Sequence, residues 1–71
     1  MLNNLINFRK KLGFTQEEMA KVIKKTRQHY CNIEKGRIKG TADTWFAIQK
    51  KFNLSNEETL NLREVQPVER T

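Results

Sequence analysis

Residues Thr15 to Gly36 read TQEEMAKVIKKTRQHYCNIEKG, and this stretch decides the fold. Thr15 followed three residues later by Glu18 has the pattern of a capping box, in which each side chain satisfies a backbone N–H at a helix start. Met19, Ala20 and Ile23 then give that helix an inward stripe. Lys24-Lys25 interrupts it. Thr26 is an N-cap for a second helix, with Tyr30 and Ile33 facing inward and Gly36 as its stop. Two short amphipathic helices joined by a tight break therefore occupy the centre of the chain.

The pattern extends in both directions. Leu5, Phe8 and Leu12 recur at spacings of three and four, which predicts a helix over residues 3–12. Gly13 suits the left-handed position after it, and Phe14 is expected to pack back on its last turn. After Gly36 comes a basic loop, Arg37-Ile38-Lys39-Gly40, anchored by Ile38. Thr41 or Asp43 caps a fourth helix running to about Phe52, with Ala42, Trp45, Phe46, Ile48 and Phe52 as its apolar members. Trp45 and Phe46 are expected in the core. Ser55 with Glu58 forms another capping box, ahead of a fifth helix bearing Leu60, Leu62 and Val65. Those three either close the core or extend into a seam with a second copy. Pro67 ends that helix, because the residue before a proline avoids the helical region. Strand-like alternation is absent. The expectation is an all-α chain, a compact bundle of five short helices with a helix-turn-helix, as one domain over residues 1–66 and a frayed tail over 67–71.

Charge is unevenly placed on this 71-residue chain of formal net charge +6. Residues 9–51 hold 12 Lys and Arg against four acids, whereas residues 52–71 hold two Arg against four Glu. A basic body favours a polyanion. A long apolar run and a signal-peptide pattern are both missing, since Asn3, Asn4, Asn7 and the basic Arg9–Lys11 run interrupt the start, so neither a membrane nor export is expected. With one cysteine, Cys31, and one histidine, His29, neither an internal disulfide nor a protein metal site is expected. Cys31 reads as a passive thiol. The chain offers no nucleophile–base pair and no glycine-rich phosphate loop. An enzyme is not expected, nor is a cofactor.

The second helix of the central pair carries Arg27, Gln28, His29 and Asn32 on its outward side. Arginine pairs with guanine O6 and N7, and glutamine or asparagine with adenine N6 and N7, in a major groove wide enough for a helix. Residue types and spacing alone thus point to double-stranded DNA.

The chain resembles the lambda-repressor-like helix-turn-helix proteins, also called the Cro/cI or Xre family, whose members are a standard illustration of this docking mode. The likeness covers roughly residues 4–56. It rests on Arg9, on Gly13-Phe14-Thr15-Gln16, on Met19-Ala20, on Ile33-Glu34-Lys35-Gly36 before Arg37, and on Phe52-Asn53-Leu54. It implies that residues 27–35 enter the major groove. Arg27, Gln28 and Asn32 match the base readers, with His29 or Cys31 less often involved. Gln16 and Thr26 match phosphate-contact positions at the helix starts, and Lys35, Arg37 and Lys39 would meet the backbone after the reading helix. Arg9 and Glu34 match a structural ion pair. Three positions depart from the family pattern: Lys24 where a turn glycine is usual, Lys25 where an apolar residue is usual, and Gln49 where a small apolar residue is common.

Two function classes follow. One is a sequence-specific regulator, most simply a phage or prophage repressor acting as a homodimer on a palindromic operator. Such a protein would be cytoplasmic, bacterial or phage-encoded, and held on the nucleoid when bound. The other is an antitoxin or adaptor that meets a protein partner through its C-terminal helix.

Overall fold

The structure is a computed structural model that describes residues 1–64. Five helices follow in order: α1 Asn3–Leu12, α2 Gln16–Val22, α3 Arg27–Glu34, α4 Ala42–Phe52 and α5 Asn56–Arg63. No strand occurs among the described residues. The expected domain end at residue 66 and the tail over 67–71 lie outside the described residues.

Local chemistry sets the boundaries. Thr15 and Glu18 form a complete capping box at α2, as Ser55 and Glu58 do at α5. Hydrogen bonds to Thr15 hold Glu18 below the usual carboxylate range, and Ser55 does the same for Glu58. Thr26 accepts from the His29 N–H and Thr41 from the Thr44 N–H, so Thr41 rather than Asp43 caps α4. Gly13 ends α1 in the left-handed region, and the Phe14 N–H turns back to the Arg9 carbonyl.

The core gathers Leu5, Met19, Tyr30, Ile33 and Ile48, all essentially without solvent contact, with Ala20, Ile23, Trp45 and Leu62 around them. Phe8 and Phe14 each meet the Phe52 ring edge-on, at centroid separations of 5.2 and 5.3 Å. Such edge contacts suit the aromatic quadrupole and tie α1 and the following loop to the end of α4. Leu2, just before α1, is also buried, and its N–H reaches the Glu34 carbonyl at 2.8 Å.

Three expectations, for Phe46, for Leu12 and for the reach of α5, need correction. Phe46 is 63% exposed. It sits 100° around α4 from Trp45, which turns in beside Ile48, and one helix cannot bury both sides. Leu12 is exposed because Phe14, folded back by Gly13, packs against the core beside Phe52 in its place. On α5, Thr59 and Leu62 face in while Leu60 stays in solvent. That helix stops at Arg63, with Glu64 extended, short of Val65 and Pro67, which lie outside the described residues.

The α2–α3 turn carries local strain. Lys24 has φ +58°, a region that costs a non-glycine residue about 1 kcal/mol. The neighbouring Lys25 N–H closes the turn on the Ala20 carbonyl. Lys25 itself is exposed. Gln49 has a definite use: its Nε2 donates to the Leu54 carbonyl at 3.1 Å and to Asn56 Oδ1 at 2.8 Å, bracing the α4–α5 corner.

Candidate nucleic-acid interface

A buried polar anchor holds α3 in place. Glu34, in its last turn, is 2% exposed. Arg9 Nε from α1 donates to Glu34 Oε2 at 2.7 Å, and Gln16 Nε2 from α2 donates to Glu34 Oε1 at 3.0 Å. Arg9 Nη1 also donates to the Phe14 carbonyl at 2.9 Å. One carboxylate thus joins three helices. Burial by itself lowers the Arg9 pKa, but the hydrogen bond and charge of Glu34 outweigh it and the net shift is upward. Tyr30 lies against the same group. Its hydroxyl is buried with no partner at hydrogen-bond geometry. Burial, then the Glu34 carboxylate, keep that phenol neutral by raising its pKa.

The start of α3, and its side away from Tyr30 and Ile33, are open. Arg27 and Gln28 are exposed, and His29 and Asn32 are half-buried. Gln28 Nε2 lies 3.4 Å from Asn32 Oδ1, one turn on, so the two carboxamides stand side by side. Cys31 is buried. Thr26 is exposed, but its hydroxyl is occupied as the α3 cap. Lys35, Arg37 and Lys39 are exposed in the segment that follows. Ile38, half-buried against the core, pins that segment. So does Gly40, where a Cβ would lie 2.6 Å from Trp45 Nε1, a separation that only glycine permits. Gln16 is half-buried and engaged with Glu34 rather than reaching freely outward.

A helix-turn-helix family model matches residues 5–58. The chain belongs to the helix-turn-helix family, of the Cro/cI/Xre type. It is a DNA-binding transcription regulator of that family. No curated protein and no solved structure gives a significant match. No described helix is long and apolar enough to cross a membrane.

Within this helix-turn-helix chain, the bond between Gln16 and Glu34 had no announcement in the sequence. The residues are 18 apart, and neither helix period nor cap pattern pairs them. The shared likeness of each to the family motif was the one available signal. The exposure of Phe46 was likewise invisible, because an aromatic beside a tryptophan in an apolar helix reads as core.

Proposed function

We propose that this regulator is a sequence-specific repressor of the phage or prophage kind, binding a palindromic operator as a homodimer with α3 in the major groove. One observation carries the reading: Arg27 at the open start of α3, and Gln28 and Asn32 on its outward side, stand clear of the core and of Glu34, which fix the helix. Arg27 pairs with a guanine, and Gln28 and Asn32 pair with adenines. His29 borders them. Gln16, through its second amide hydrogen, and Thr26, Lys35, Arg37 and Lys39 contact phosphates and fix the register. Two copies reading half-sites about one helical turn apart supply specificity that one short helix lacks. Occlusion of polymerase gives repression. The protein acts in the cytoplasm of a bacterium, on the nucleoid.

Selection of binding sites from random duplex DNA tests this reading. The expected result is a palindromic consensus. If no sequence is enriched, base readout is lost and the antitoxin or adaptor reading gains. In the same assay, Arg37→Ala or Lys39→Ala should weaken binding to all sequences alike. Each should also reduce the salt slope by about 1.

A further inference from the structure

Between the basic loop after α3 and the end of α5 lies a hollow of about 320 Å³, at the small end of the range for ligand sites. Leu2 and Ile33, both buried, and the half-buried Ile38 give it an apolar lining. Lys39 and Arg63 border it and are exposed. Among the described residues no carboxylate lines it.

The polar groups here lack partners. Neither Lys39 nor Arg63 has a counter-charge among the described residues. The Arg63 guanidinium lies 5.6 Å from the centroid of the Trp45 ring. Stacking on an indole attracts a cation and leaves the N–H edge of the guanidinium free, a planar fork that matches a carboxylate. Trp45 lines the hollow too, and its side chain is nearly buried. Its Nε1–H has no acceptor among the described residues, yet it is not sealed off as the Tyr30 hydroxyl is. Gly40, beside it in the lining, leaves room over that atom, since a Cβ there would lie 2.6 Å from Nε1.

We propose that this hollow binds a small carboxylate with an apolar body, and that the bound ligand loosens the grip on DNA. Arg63, Lys39 and the Trp45 N–H hold the carboxylate, and Leu2, Ile33 and Ile38 cover the body. Inorganic phosphate, or a phosphate of the duplex, would satisfy the cations but leave the apolar lining in water, so the lining selects the guest. Lys39 links the site to the operator. A carboxylate beside it neutralises a charge that otherwise meets a phosphate, and about one phosphate contact is given up. The coupling is reciprocal, so the operator weakens the ligand by the same factor. This inference rests on the reading of Lys39 as a phosphate contact and supplies that reading with a signal.

The test uses the full chain with phenylacetate as the probe. Inorganic phosphate and 2-phenylethanol are the controls, carrying the charge or the ring alone. Trp45 is the single tryptophan of the chain, so its fluorescence reports on the site. Phenylacetate is expected to give a saturable change, and each control to bind at least about tenfold more weakly. Arg63→Gln should weaken phenylacetate at least about tenfold, with circular dichroism unchanged and ligand-free operator affinity kept within about twofold. Trp45→Phe, followed by calorimetry, keeps a ring, loses the donor and should weaken phenylacetate about tenfold. At saturating phenylacetate the operator is expected to bind about fivefold less tightly, with a salt slope lower by about 1.

If phosphate alone matches phenylacetate, the hollow is an anion patch only and the proposal is overturned. It is also overturned if phenylacetate does not saturate, or if a folded Arg63→Gln binds it normally. Normal phenylacetate binding with an unmoved operator affinity overturns the regulatory half. If Lys39→Ala leaves operator affinity and salt slope unchanged, the phosphate reading of Lys39 falls, while the fluorescence titration still decides the ligand site.

Discussion

On one face of α3, Glu34 is sealed from water and accepts hydrogen bonds from two other helices. On the other, Gln28 stands in solvent and Asn32 is half-buried, their carboxamides 3.4 Å apart, while Arg27 is exposed at the helix start. The two faces belong to eight residues. Their difference separates two kinds of information along one helix. Glu34, Tyr30 and Ile33 specify where α3 sits. Arg27, Gln28 and Asn32 contribute little to that and are free to be chosen by a ligand. A helix positioned by its buried end can change what it reads without losing its place.

The strongest way to break this comparison is at Glu34. Glu34→Ala leaves the Arg9 guanidinium, whose side chain is 11% exposed, without its counter-charge. Removing one partner of such a pair is expected to cost about 3 kcal/mol, read as a lower denaturant midpoint at unchanged slope. A midpoint equal to that of the unaltered chain would mean the anchor is not an anchor. A smaller effect of opposite sign is expected at the turn. Lys24→Gly removes a side chain from positive φ and should add up to about 1 kcal/mol, with the selected DNA consensus unchanged. A changed consensus would show that the turn side chain, and not the core, sets the angle of α3.

Tyr30→Phe is the gentlest probe. The hydroxyl has no hydrogen-bond partner, so its loss should be close to neutral near pH 7. Alkali should distinguish the two chains. The folded pKa is raised, so the unfolded chain ionises first, near the ordinary value of 10.0, and stability falls as pH climbs beyond it. The phenylalanine variant lacks that component, and its denaturation midpoint should decline less above that pH.

Much of the fold was legible because its signals are local. Thr15 with Glu18, Thr26, and Ser55 with Glu58 announce helix starts through bonds within four residues, and Gly13 announces a stop. Inward stripes of period 3.6 then assign Met19, Tyr30, Ile33 and Ile48 to the core. What was not legible depends on crowding between distant segments. Leu12 lost its place to Phe14, Phe46 to Trp45, and Leu60 to Thr59 and Leu62, and hydrophobicity alone could not rank them. At the interface, the outward direction of Gln28 followed from the Tyr30 and Ile33 stripe on the other side of α3, and the exposure of Arg27 from its place at the helix start. The engagement of Gln16 with Glu34 followed from nothing local, and it narrows what Gln16 can offer a phosphate to the second amide hydrogen.

The central claim is that the open face of α3 reads bases while its buried face holds the helix. The direct measurement compares the affinity of the unaltered chain and of the Arg27→Ala, Gln28→Ala double variant for the selected operator and for a scrambled duplex, at one salt concentration, with thermal midpoints alongside. A good bidentate base contact is worth about 1–3 kcal/mol of discrimination. The account predicts that the double variant loses at least about tenfold of the operator's advantage over the scrambled duplex while keeping its stability to within about 0.5 kcal/mol. An undiminished preference in a folded double variant would contradict it.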